Sequence, residues 1–164
     1  MIVGRKVLIE KLRKHPLMRA VRMDKTCLMV LERRLQMFRD PERLRREHPT
    51  YHMICAPVET LRARAKCLVD LLARLAPDIQ ASAADSLAYL GSGSLPTEAI
   101  PSVMVNVTVS GISADELARR LRMDDACIFG RIEADLVRLD MRTITDDQVQ
   151  IIASALERIS GISV

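Results

Sequence analysis

Tryptophan is absent from this 164-residue chain, and only two Tyr and two Phe are present. A core must therefore be assembled from Leu, Ile, Val, Ala and nine Met. The shortage argues against a module that stacks nucleic-acid bases on exposed aromatic platforms. No apolar run approaches the roughly 18 residues of a membrane span, and the first residues lack the apolar centre of a signal peptide. The four cysteines, Cys27, Cys55, Cys67 and Cys127, form no CxxC pair. Cys27 and Cys67 fall inside amphipathic helical patterns, where a thiol usually serves as a small core residue. Together these absences point to a reduced, cytoplasmic protein. The composition argues against disorder too, since 49% of the residues are hydrophobic and the chain is long enough to bury a core.

Charge is present but unevenly placed. Residues 1–50 hold 14 Lys+Arg against 6 Asp+Glu, a net of +8, whereas residues 51–164 hold 11 against 15, a net of −4. Such a split suits a basic front part facing phosphate, RNA or an acidic surface, followed by an ordinary acidic domain. An Arg-rich helical surface that is merely soluble explains the charge equally well.

The hydrophobic pattern predicts helices first. Val7, Leu8 and Leu12 share one face over residues 5–14, and Ile2-Val3-Gly4 reads as the end of a strand. Pro16 and its effect on His15 stop that helix. Leu28, Leu31, Leu35 and Phe38 give a stripe over 24–39, with Asp24 as N-cap. A short charged helix over 42–47 follows, and His48-Pro49-Thr50 breaks the pattern. These readings divide the chain into a helical segment, 1–50, and an α+β domain, 51–164. Val58, Leu61, Ala65, Leu68, Leu72 and Leu75 form the strongest stripe, over 57–76. Residues 79–90 read as extended, and Val103, Val105, Val107 and Val109 alternate as a half-buried strand. Ser113-Ala-Asp-Glu116 and Thr145-Asp-Asp-Gln148 are capping boxes opening two further helices. Between them 127–133 and 136–142 read as a hairpin. The fold class is α+β: N-terminal helices, then a small mixed or antiparallel sheet covered by helices.

Chemistry is sparsely marked. His48, His52 and Cys55 do not make a metal site, because Pro49 disfavours a helix placing both imidazoles on one face and no fourth ligand stands nearby. No residue is singled out as a nucleophile. Arg19 and Arg22 lie on a connection between two helices, three residues apart. One turn there would let both guanidiniums converge on an oxyanion, which Arg binds bidentately; a solvated basic turn fits the same spacing.

Three collinear segments carry a resemblance. Val3-Gly4-Arg5-Lys6 with His15-Pro-Leu-Met-Arg-Ala-Val-Arg-Met-Asp-Lys25 is the first. Gly91-Ser-Gly-Ser-Leu-Pro96 with Ile100-Pro101-Ser102 is the second, and Phe129-Gly-Arg-Ile-Glu-Ala-Asp-Leu-Val-Arg-Leu-Asp-Met-Arg-Thr143 the third. In this order they resemble the bacterial selenocysteine synthase family, pyridoxal-phosphate transferases of fold type I. The resemblance implies a C-terminal part of such an enzyme, with Met1 falling just after the place of the family's cofactor lysine. It implies that Arg19 and Arg22 help hold the anionic selenium donor, selenophosphate, and that Gly91, Gly93 and Ser94 belong to an active-site loop. Ser92 and Thr97 stand where the family run has glycines, a departure that bears on tight backbone angles there. Pyridoxal phosphate and seryl-tRNA(Sec) would be bound by the complete homo-oligomeric enzyme. This stretch would hold no cofactor covalently and would be inactive alone, since none of Lys6, Lys11, Lys14, Lys25 and Lys66 sits in a Gly-rich setting. A related pyridoxal-phosphate lyase, or a non-catalytic RNA- or partner-binding module, are the rival readings.

Overall fold

The computed structural model describes residues 2–90 and 95–161, with the backbone alone for 95–98. It divides into two compact units, Met1–His48 and Pro49–Val164.

The first unit, among its described residues, is four helices: α1 (Lys6–Lys14), α2 (Leu17–Ala20), α3 (Lys25–Met37) and α4 (Pro41–Glu47). Its punctuation is local chemistry. His15 is extended, at φ −74° and ψ 134°, as a residue preceding proline should be. Asp24 Oδ1 accepts the Cys27 N–H at 2.7 Å and caps α3. That bond holds the Asp24 carboxyl below the usual carboxylate range. Asp40 Oδ1 accepts from the Glu42 and Arg43 N–H groups, with Pro41 in the first turn of α4. The strand end expected at residues 2–4 does not form, and the chain there is irregular up to α1. The apolar stripes are helical as expected, yet they are not a core. Leu28 is 50% exposed and Leu35 57%, and Val7, Leu8, Leu12, Leu31 and Phe38 are exposed as well. Only Met37 and Leu44 are buried among the described residues of this unit.

The second unit opens with α5 (Pro49–Cys55), where the sequence pattern predicts a break. Proline does end a helix before itself, but it is also well suited to start one, and here it does so. Then come α6 (Val58–Leu75), β1 (Ile79–Leu90), β2 (Leu95–Val109), α7 (Ala114–Met123), β3 (Arg131–Glu133), β4 (Leu136–Asp140) and α8 (Asp146–Ser160). The four strands form one antiparallel sheet in the order β1-β2-β4-β3. The α+β class therefore holds, and the sheet is antiparallel rather than mixed. Val103, Val105, Val107, Val137 and Leu139 point into one cluster with Leu61, Leu68 and Leu72 of α6, Leu117 and Leu121 of α7, and Ile152 and Leu156 of α8. These side chains are essentially inaccessible.

Several local expectations are corrected. β2 begins at Leu95, ahead of the Val103–Val109 alternation, and takes in Ile100-Pro101-Ser102. The hairpin arms are shorter than predicted, because Ala134 (φ 51°) and Asp135 (φ 60°) make a tight left-handed turn that pairs only Arg131–Glu133 with β4. Residues 127–130 are not strand; Ile128 instead donates its N–H to the Leu121 carbonyl. Ser113 caps α7 by accepting the Glu116 N–H. The other half of that box does not form, since Glu116 turns its carboxylate to Arg119 and Arg120. The α8 box does close, with Gln148 Oε1 accepting the Thr145 N–H. All four thiols are exposed. Cys67 sits one residue, about 100° of helix turn, off the Leu61-Ala65-Leu68-Leu72 stripe, which is enough to face solvent.

Candidate functional site

The basic connection in the first unit is a single helical turn. The His15 carbonyl and Nδ1 accept the N–H groups of Met18 and Leu17, winding Leu17–Ala20 tightly after Pro16. Arg19 lies on this turn and Arg22 just beyond it, before the Asp24 cap. Both are exposed, and neither guanidinium makes an ion pair or hydrogen bond among the described residues. By contrast, the guanidiniums of α4 are occupied: Arg43 with Glu47 at 2.8 Å and Arg45 with Glu42 at 2.9 Å. A cationic turn without internal acids, held by backbone bonds at both ends, is what an anion needs from a protein surface. Gly91, Gly93 and Ser94 lie outside the described residues, and no group of three or more His, Cys, Asp or Glu side chains gathers as a metal site among those that are described.

In the second unit the second and third resemblance segments meet around a buried arginine. Arg142 is 6% exposed. Its Nη1 donates to the carbonyls of Met53, Ile54 and Ala56 at 2.7, 3.0 and 3.2 Å, and Nη2 donates to the Pro101 carbonyl. Beside it, Asp140 Oδ1 accepts both the Ser102 hydroxyl, at 2.6 Å, and the Arg142 N–H, at 3.0 Å. Arg64 does the same for the next turn, donating to the Met141 and Ile144 carbonyls and pairing with Asp146 at 2.7 Å. Periodicity does not reveal these arginines; the only signal in the sequence is that Arg142 stands in the third resemblance segment.

A cavity of about 270 Å³ opens between the 126–129 segment and α8, with Cys127, Ile128, Phe129, Ile144, Ile151 and Ile152 in its wall. No Lys or Arg lines it among the described residues, so it does not suit a phosphate-like donor.

Against known proteins, the family model described as SelA, L-seryl-tRNA selenium transferase, matches residues 1–145. The chain belongs to the L-seryl-tRNA selenium transferase family. Curated relatives named L-seryl-tRNA(Sec) selenium transferase agree. That of Geobacter sulfurreducens is 37% identical over 98% of this chain and 35% of its own length. That of Caldanaerobacter subterraneus is 36% identical over 98% of the chain and 34% of its own length. In Nitratidesulfovibrio vulgaris the figures are 36%, 99% and 35%. The chain thus spans about a third of the length of the relatives it matches.

A lysine that holds pyridoxal phosphate covalently is desolvated, so that its amine loses its proton readily. Lys6, Lys11, Lys14, Lys25 and Lys66 are all exposed. Lys66 is moved the wrong way as well, its pKa raised by the hydrogen bond to Asp70.

Proposed function

We propose that this chain supplies the donor-binding basic turn and the small α+β domain of a transferase that converts seryl-tRNA(Sec) to selenocysteinyl-tRNA(Sec) with selenophosphate. Carrying the reading is the collinear family match over nearly the whole chain, joined to an exposed Arg19/Arg22 turn with no internal acid partner among the described residues. Residues 1–50 then join the small domain, 51–164, to a cofactor-bearing remainder of the polypeptide. The uncovered apolar faces of α1 and α3 support docking of that remainder, since stripes of this size are normally buried.

Division of labour follows from the residues. Pyridoxal phosphate, held by the remainder, would supply the electron sink. Arg19 and Arg22 bind and orient the selenium donor's oxyanion, and the Arg142–Asp140–Ser102 node keeps the small domain rigid. Cytoplasmic location and assembly into a homo-oligomer belong to the same reading.

The test is a chimera in which this chain replaces the matching third of the Geobacter sulfurreducens relative. Formation of selenocysteinyl-tRNA by the chimera, and none by the 164-residue chain alone, is the expected result. The basic charge of residues 1–50 favours a second reading, a non-catalytic RNA-binding module. A steeply salt-dependent tRNA shift by the isolated chain, with a dead chimera, would select it.

A further inference from the structure

Residues 124–130 join α7 to β3 without helix or strand, yet both ends of this segment are fixed. Asp124 Oδ1 accepts the Ala126 N–H at 3.0 Å, and Arg158 of α8 donates from Nη2 to both carboxylate oxygens, at 2.9 and 3.0 Å. At the far end Gly130 lies close against β4, where a Cβ would stand 2.7 Å from the Val137 side chain and displace it. Between them Cys127 keeps a φ of 48°, a left-handed backbone that a residue other than glycine holds only where its surroundings enforce it. The segment is therefore held off α8, and the cavity of about 270 Å³ is the space between the two.

Apolar side chains dominate its wall, Ile128, Leu139, Ile144 and Ile152 among them. Phe129, 77% exposed, and Ile151, 49% exposed, continue that surface to the rim. The polar groups in the lining are few, and most are engaged. Thr143 donates its hydroxyl to the Asp140 carbonyl at 2.9 Å, and Asp140 Oδ1 accepts from the Ser102 hydroxyl and the Arg142 N–H. Gln148 accepts the Thr145 N–H through Oε1 at 3.0 Å, which leaves its carboxamide NH2 without a partner among the described residues. An apolar cavity with a small number of placed polar groups is the usual make-up of a small-molecule site.

We infer that this cavity binds a small neutral molecule made of one apolar ring and a hydrogen-bond acceptor, the ring lying among Ile128, Ile144 and Ile152 and the acceptor receiving the Gln148 amide. Size agrees with one ring. A cavity of about 150 Å³ walled by such residues holds benzene, so about 270 Å³ admits a ring with a short polar substituent and excludes a helix. Charge selects the class. With no Lys or Arg in the lining among the described residues, an anion would be buried unpaired. A cation would find one acid, Asp140, whose Oδ1 is already shared by two donors. The free Gln148 amide is a donor and calls for an acceptor. The site contains neither Arg19 nor Arg22, so it stands or falls apart from the donor-binding reading.

The test is a titration of the full chain with acetophenone, followed by NMR of the isoleucine δ1-methyl groups. Ile128, Ile144, Ile151 and Ile152 should shift and saturate at millimolar ligand, with Ile79 and Ile159 unmoved. Benzoate and benzylamine, similar in size but charged, should bind about tenfold more weakly. Gln148→Glu keeps an acceptor for the α8 capping box but removes the donor, and should weaken acetophenone about tenfold with the thermal midpoint nearly unchanged. Cavity methyls that do not move, benzoate binding as well as acetophenone, or undiminished binding by Gln148→Glu would each overturn the inference. N-acetylphenylalanine amide shifting those methyls where acetophenone does not would assign the cavity to a partner's side chain, and would overturn it too.

Discussion

Arg142 carries a full charge into the second unit, where its guanidinium meets carbonyl oxygens and, among the described residues, no carboxylate. Its value is that it satisfies the C-terminal carbonyls of α5, which a seven-residue helix cannot satisfy itself. Arg142→Met should leave those acceptors dry and cost on the order of 3 kcal/mol, read as a lowered urea midpoint. An unchanged midpoint would mean that water replaces the guanidinium freely. Glu116 titrates in the opposite sense to a buried acid. Hydrogen bonds from Arg119 and Arg120 pull its carboxyl from 4.5 to about 2. A folded-state value below the unfolded one means that the contribution is complete above pH 4.5 and fades as pH falls from there toward about 2. Glu116→Gln should flatten that part of the stability–pH curve by lowering the neutral plateau toward the acid limb, where the two proteins converge. A curve that still falls as steeply would place the acid sensitivity elsewhere. Arg142 is hidden from sequence reading because a buried arginine bound to carbonyls has no spacing of its own.

Elements are legible where one face alone decides them. The α6 and α8 stripes and the alternation of Val103 to Val109 predict both the element and its buried side, and the core is built from them. The stripe of α3 predicts the helix just as well, but its apolar face is solvent-exposed in this chain. Periodicity reports an amphipathic face, and says nothing of what covers it. The elements that escape such reading are decided by tight turns and by proline used as a helix start: α5, and the hairpin shortened by Ala134 and Asp135. Substitution separates the two kinds of stripe. Leu68→Ala, within the core of the second unit, should cost about 3 kcal/mol. Leu31→Ser with Leu35→Ser on α3 should change stability of this chain by no more than about 0.5 kcal/mol. Chemical denaturation of both variants beside the wild type compares them, and a large loss from the α3 pair would show that its stripe is already packed.

At the scale of the molecule, the family membership is established over nearly the whole chain, while the relatives are about three times longer. The proposed site is legible in the sequence only as two arginines. The structure adds their single-turn setting and the absence of any acid bound to them among the described residues. Gly91, Gly93 and Ser94 stand as the proposed loop on resemblance alone. The functional reading turns on whether Arg19 and Arg22 grip the selenium donor and not the tRNA. Steady-state kinetics of the chimera carrying Arg19→Ala and Arg22→Ala together decides between the two. The KM for selenophosphate should rise at least tenfold, about 1.4 kcal/mol of lost donor binding, with the KM for seryl-tRNA unchanged. An unchanged selenophosphate KM, or a loss confined to seryl-tRNA, would refute the donor clamp.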